Sequence, residues 1–372
     1  MTEMLVESAR AHRLDEQDVR DEIRRLFDVR STSAARYGPQ FSALWKSASR
    51  CVGGGKLLRP RLLLGAFGAL SATGAHGRVF EAAAVRIAAA VEVLHYALLL
   101  HDDVIDGDLR RRGRLNLIGT LLEERRAVSL APEASRADPR DLHWARVGGI
   151  LMGDLLLSDV HQVFAREPVP PHMRSLLLDL LDHTITESIV GEQLDVALSD
   201  GVVPSDLDAV LGMTRLKTAT YTFELPLKAA AILAGSTRRI QEALGVVGGR
   251  LGFAFQLQDD LLSTFGDAAE HGKDAFSDLR EGKETAIVAY ARMTTEWRRI
   301  EPFFGDPGLG IADALTARRL LRECGAEAFV RSLVADQLRA AGSALSSPGS
   351  GIPCALSGFL ARLMRTIEER QS

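Results

Sequence analysis

Residues 79–108 read VFEAAAVRIAAAVEVLHYALLLHDDVIDGD, and the fold follows from the way this stretch is patterned. Apolar side chains fill an alanine- and leucine-rich run with helical periodicity. Its longest apolar part, Ala82 to Leu100, is interrupted by Arg86, Glu92 and His95. A spanning helix needs about 20 mostly apolar residues with hardly any charge, so the stretch reads as a buried core helix and no membrane span is expected. The helix ends in Asp102, Asp103 and Asp106, whose spacing places them on neighbouring parts of one face.

The same periodicity recurs on either side, around residues 57–72, 144–166, 173–199, 206–234, 237–265, 283–299, 312–343 and 354–370. Strand signals are close to absent. Breaks fall at EPVPPH (167–172), GVVPSD (201–206), GDPGLG (305–310) and SSPGSGIP (346–353), which read as turns between helices. Residues 123–140, EERRAVSLAPEASRADPR, lack apolar periodicity and are expected to be a mobile loop or short insertion. No linker separates domains and no solenoid repeat is present. The expectation is an all-α protein, one helical bundle spanning residues 1–372, which a single large domain of this length accommodates.

Composition narrows the function. With 45 basic and 49 acidic residues the formal charge is −4, so no whole-protein field attracts nucleic acid, and any anion site is local. Three cysteines, Cys51, Cys324 and Cys354, lie far apart without a CxxC pair, which fits a reducing cytoplasm better than a disulfide framework or a zinc site. The charged N-terminus lacks the apolar core of a signal peptide.

Three carboxylates at one helix end repel one another unless a cation compensates them, and hard oxygen ligands suit Mg²⁺ bridging to a diphosphate. The alternative is a solvated helix end with spare acids. A second apolar helix, GFAFQLQDDLLS at 252–263, also ends in paired acids, Asp259 and Asp260, with Asp267 shortly after. Two such clusters suit the clamping of one metal-diphosphate group. Ionising an allylic diphosphate needs positive charge on the leaving group, and metal ions supply it without a protein nucleophile. The carbocation formed needs a dry apolar cavity, which aliphatic helices provide.

Basic residues flank these clusters. Gly53-Gly-Gly-Lys-Leu-Leu-Arg-Pro opens a helix and sets Lys56 and Arg59 one turn apart, where loop N–H groups and cations suit a phosphate. Arg110-Arg-Arg-Gly113 follows the first aspartates, and His95 precedes Asp102 by seven residues, about two turns on the same face.

Taken together, GGGKLLRP, EVLHYALLLHDDVID, LRRRG, the pair Lys217–Thr218, FQLQDD and GKDAFSDLREGKET resemble the trans-isoprenyl diphosphate synthase, or polyprenyl synthetase, family. The resemblance covers roughly residues 50–300, and six ordered motifs are far more specific than any one. It implies the isoprenoid synthase fold, a helical bundle around a central cavity, usually a homodimer. It implies that Asp102, Asp103, Asp106, Asp259 and Asp260 hold Mg²⁺ on an allylic diphosphate (dimethylallyl, geranyl or farnesyl). Arg111, Lys217 and Lys273 then touch that diphosphate, and Thr218, beside Lys217, is among the substrate-binding residues. Lys56, Arg59, His95 and Arg112 bind isopentenyl diphosphate, Gln256 lies near the reacting centre, and Lys283 lies near the phosphates.

Two positions depart from the family pattern. Ser263 stands where DDxxD has its last aspartate, so Asp259, Ser263 and Asp267 approach the metal motif of class I terpene cyclases. A cyclase has no use for a second diphosphate site, and Lys56, Arg59, His95 and Arg112 furnish one, which favours the synthase. A non-catalytic subunit, the other alternative, predicts eroded metal or diphosphate residues. Glu192 occupies the glutamine position of GQxxD; the neighbouring Gln193 projects about 100° further round a helix and is no obvious substitute. Product length in this family depends on the fourth and fifth residues before the first aspartates, here Leu98 and Ala97. They lie about 6 to 7.5 Å along the helix from Asp102, with Tyr96 and Leu94 nearby. Ala97 does not block a growing tail as an aromatic would, so geranylgeranyl diphosphate is the expected main product.

Overall fold

The computed structural model describes residues 16–52, 55–72, 79–111, 113–128, 138–266, 276–347 and 349–369. Helices dominate among them. The extended pairing they contain is one ladder of two-residue strands, β1 (Arg110–Arg111) and β2 (Arg114–Leu115), turned through Gly113 at φ +73°. The chain forms two compact units. One comprises Met1–Leu109, Leu115–Leu177 and Ile232–Ser236; the other comprises Arg110–Arg114, Leu178–Ala231 and Thr237–Ser372.

In the first unit, α1 (Glu16–Ala34), α3 (Leu58–Ser71), α5 (Leu117–Val128) and α6 (Pro139–Arg166) pack against α4 (Glu81–Ile105), while α2 (Pro39–Val52) packs against α1, α5 and α6. The alanines of α4 explain its place: Ala84, Ala88, Ala89 and Ala90 are wholly buried beside Ile87 and Leu94, and short side chains let several helices approach closely. By length and composition α4 also suits a membrane, but most of its apolar stretch is buried inside the protein. It is a core helix.

The periodicity of the sequence placed no helix before residue 57, yet α1 and α2 are there. Their pattern is diluted by charge. α1 buries Val19, Ile23, Phe27 and Ala34, and the Phe27 ring meets Trp45 of α2 edge-on, centroids 5.8 Å apart. Such a pair adds about 0.5–1.5 kcal/mol beyond its buried area. A second correction concerns residues 123–140, expected to be a loop. α5 continues to Val128 and α6 begins at Pro139; residues 129–137 lie outside the described ones. Ser47 donates to Glu124 at 3.0 Å and Arg50 pairs with the same carboxylate, tertiary contacts invisible to local periodicity. Asp138 caps α6 by accepting from the Arg140 N–H, with Pro139 at the first helical position, where proline's missing N–H costs nothing.

The second unit holds most of α7 (Pro171–Ser199), α8 (Leu207–Thr214), a π-helical segment at Arg215–Glu224, and α9 (Leu225–Leu233) as far as Ala231. It continues through α10 (Arg238–Phe265), α11 (Ser277–Glu281), α12 (Ala286–Arg292), α13 (Trp297–Ile300), α14 (Ile311–Glu323), α15 (Ala326–Ser346) and α16 (Cys354–Glu369). Residues 206–234, read as one helix from the sequence, are thus interrupted by a wider π turn. The run 312–343 divides at Gly325, which adopts φ +87°. α10 and α15 pack along their length, tied by Arg250 donating to Gln337 at 3.2 Å.

Candidate active site

Each unit carries one of the aspartate clusters. In the first, α4 delivers them at its C-terminal end. Asp103 is buried, Asp102 is half-buried and Asp106 is exposed; the Asp106 N–H closes the helix on the Asp102 carbonyl at 2.9 Å. Two turns earlier lies Tyr96, whose hydroxyl is buried. Burial pushes this phenol well above its ordinary pKa, with Cys51 and Asp103 adding to the effect. The Cys51 thiol, 4.0 Å from the Thr120 hydroxyl, is likewise pushed up by burial. Ala97 is wholly buried and Leu98 half-buried.

His95 stands on the same helix, half-buried. Lys56 is exposed just before α3, and Arg59 is buried in its first turn. Between them Leu57 is buried in the left-handed conformation, φ +50° and ψ +38°. That conformation is rare for a branched side chain, and it turns the chain so that the Leu57 carbonyl accepts the Arg61 N–H at 3.0 Å.

In the second unit, α10 ends in the other pair. Gln256 donates to Asp260, Nε2 to Oδ1 2.8 Å. Burial pushes the Asp260 carboxyl up to about 7 against the pull of Lys283, and Asp278 and Asp259 push it further. Burial acts to lower the Lys283 ammonium, but Asp278 and Asp260 together hold it above its usual value. The backbone fixes this neighbour: the Lys283 N–H closes on the Asp278 carbonyl at 2.9 Å.

Lys217 belongs to the π segment. Its Nζ lies 2.6 Å from Asp195 Oδ2 and 2.9 Å from Glu192 Oε2, both on α7. Gly191 makes the approach possible: a Cβ there would come 2.2 Å from the Lys217 backbone nitrogen. Gly252 of α10 does the same on another side, where a Cβ would meet the Ala219 Cα at 2.5 Å. The π segment is thus pressed against two glycine-bearing helices. Thr218 is half-buried beside Lys217. Further out, Glu284 is buried and paired with Arg292, whose guanidinium lies over the Trp297 and Phe304 rings at 4.8 and 5.4 Å.

The second unit therefore brings Lys217, Gln256, Asp259, Asp260 and Lys283 together with Glu192, Asp195 and Asp278. Asp195 and Asp278 lie inside quoted motifs, but only Asp195 carried a spacing signal, three residues from Glu192. Arg111 lies on β1, half-buried. Arg112, Asp267 and Lys273 lie outside the described residues.

Among the described residues no three His, Cys, Asp or Glu side chains converge as a preformed metal site. Magnesium commonly uses one or two carboxylates together with waters and substrate phosphates, and the donors present fit that mode. They are carboxylate oxygens: Asp102 and Asp103 at the end of α4, and Asp259 and Asp260 at the end of α10, where Asp260 is buried.

Sequence and structure comparisons agree on one family. The polyprenyl synthetase pattern matches residues 42–306. A geranylfarnesyl diphosphate synthase of Aeropyrum pernix is 31% identical over 282 residues, 75% of this chain and 79% of that protein. A geranylgeranyl diphosphate synthase of Methanosarcina mazei is 30% identical over 280 residues, covering 75% and 76%. Among solved structures, a geranylgeranyl pyrophosphate synthase of Corynebacterium glutamicum, complexed with isoprenyl diphosphate and magnesium, superposes with TM-score 0.84 at 26% identity, covering 95% of this chain and 98% of that one.

Proposed function

This chain belongs to the polyprenyl synthetase family and is a trans-prenyltransferase of the isoprenoid synthase fold; on that premise we propose that it joins isopentenyl diphosphate head-to-tail to an allylic diphosphate with Mg²⁺ and makes chiefly geranylgeranyl diphosphate. The observation that carries the product length is Ala97, wholly buried five residues before Asp102. A methyl at that depth leaves a tail more room than an aromatic ring does.

In this reading Asp102, Asp103 and Asp106, and likewise Asp259 and Asp260, are the magnesium ligands. Bound magnesium supplies positive charge to the departing diphosphate. Arg111, Lys217 and Lys273 hold that diphosphate, with Lys283 near it, and Thr218 is a substrate-binding residue. Lys56, Arg59, His95 and Arg112 hold isopentenyl diphosphate. Gln256 fixes Asp260 in place, as its 2.8 Å hydrogen bond suggests.

We also place the protein in the cytoplasm, as a single catalytic domain that forms homodimers. Support for a dimer comes from α6, which leaves Trp144 51% and Leu151 52% exposed. Seven residues apart, they share one helix face.

The test is incubation of purified protein with Mg²⁺, labelled isopentenyl diphosphate and each allylic diphosphate in turn, followed by chromatography of dephosphorylated products. Label in a twenty-carbon linear alcohol is the expected result. Cyclised hydrocarbon from the allylic substrate alone would replace the synthase reading with a cyclase, and no turnover would favour a partner-dependent subunit.

A further inference from the structure

The synthase reading leaves Glu192 without a role, and its surroundings supply one. α7 presents Glu192 and Asp195 one turn apart, and both carboxylates reach the same ammonium, Lys217 Nζ, at 2.9 and 2.6 Å. The backbones of α7 and the π segment touch at Gly191, which limits how far the lysine stem can swing away from these acids. The side chains of Lys217, Glu192 and Asp195 are only 20%, 21% and 10% exposed, so water screens the cluster weakly.

An ammonium has three protons to give. Asp195 Oδ2 takes one of them at 2.6 Å and Glu192 Oε2 lies in ion-pair contact at 2.9 Å, so a phosphate oxygen arriving at Lys217 meets two negative groups in contact with the cation it seeks. Asp195 alone would balance Lys217, since the second cation near it, Lys283, is held chiefly by Asp278 and Asp260. Glu192 adds a second negative charge where a glutamine side chain would add none.

We propose that Glu192 competes with diphosphate for Lys217, so that it sets the affinity of this site for diphosphate and the ease with which diphosphate leaves. The inference rests on the synthase reading, which gives Lys217 its diphosphate. On binding, Lys217 exchanges its Glu192 contact for a phosphate oxygen and keeps Asp195. On release, Glu192 takes the lysine back. Glu192 is thus a positioning residue that acts through Lys217.

The test compares wild type with Glu192→Gln and Glu192→Asp by calorimetric titration with inorganic pyrophosphate at fixed Mg²⁺, together with kcat and KM for the allylic substrate and the thermal midpoint. Removing one like charge beside the bound anion is expected to tighten pyrophosphate binding roughly tenfold in Glu192→Gln. KM should fall with it, and kcat should fall where release of diphosphate limits turnover. Glu192→Asp, its carboxylate drawn back by one methylene, should fall between the two. Both effects should appear with the thermal midpoint unchanged or raised, which loss of structure would not produce. If wild type binds pyrophosphate and elongates prenyl chains but Glu192→Gln binds no tighter, this inference is overturned alone. If wild type neither binds pyrophosphate nor elongates, the synthase reading fails and the inference fails with it.

Discussion

Gln256 and Asp260 lie one turn apart on α10, and the glutamine amide donates to the buried carboxylate at 2.8 Å. The pair sits where an apolar helix ends in paired acids, Asp259 and Asp260. Gln256→Leu keeps the approximate volume and removes the donor. A hydrogen bond to a charged group contributes about 1.5–3 kcal/mol, so with the carboxylate ionised the variant should lose stability on that scale. Elongation should drop by at least tenfold, measured as kcat/KM beside the thermal midpoint. Full activity in Gln256→Leu would show that Asp260 holds its place without the amide.

Asp260 also makes a prediction about pH. An unfolded aspartate titrates near ~4, whereas burial brings the folded one to about 7. Between those values the folded protein keeps a proton that the unfolded chain gives up. The resulting stability is fully present below about 4, declines as pH rises, and is lost above about 7. Three units correspond to roughly 4 kcal/mol as an upper limit. Urea unfolding of the metal-free protein at pH 5 and pH 8 should show this decline, and Asp260→Asn should flatten it. An equal slope in the variant would assign the effect to other groups.

The same proton opposes cations. A carboxylate must be ionised to bind Mg²⁺, so Mg²⁺ affinity should weaken as pH falls below about 7, with proton release on binding. Titrations in two buffers of different ionisation enthalpy measure that release directly. No proton release at pH 6 would mean that Asp260 is already ionised before the metal arrives.

Ala97→Phe should shorten the product. The site is wholly buried, so the larger ring also costs about 1–3 kcal/mol through overpacking. Product chromatography separates the two effects, because a destabilised protein makes less product whereas a filled tunnel makes shorter product. An unchanged chain length would remove Ala97 from the determinants of length.

Leu151→Glu tests the dimer. A charge in the middle of an apolar interface is costly to bury, so light scattering after gel filtration should report a monomer. An unchanged mass would place the interface elsewhere.

The helices with strong apolar runs were legible in the sequence, α4 and α10 above all, because an alanine- and leucine-rich stretch specifies a buried helix almost regardless of its surroundings. α1 and α2 were not. α1 carries its few buried residues among many charges, and its packing depends on partners such as Trp45 that are remote in sequence. Residues 123–128 failed for the same reason: Glu124 is held by Ser47 and Arg50, which no local window contains.

The sequence by itself determined the helical class, the two carboxylate clusters at helix ends and the family, since each depends on residue type and short spacing. The tertiary structure alone decided which charges meet. It set Lys217 between Glu192 and Asp195, because Gly191 lets the π segment come into backbone contact with α7, and it set Lys283 near Asp260, where the turn that bonds its N–H to the Asp278 carbonyl holds it. Burial then pushed the Asp260 carboxyl up to about 7. Spacing along a helix fixes only direction, whereas the energy of a charge depends on what lies within a few ångströms of it and on how little water remains there.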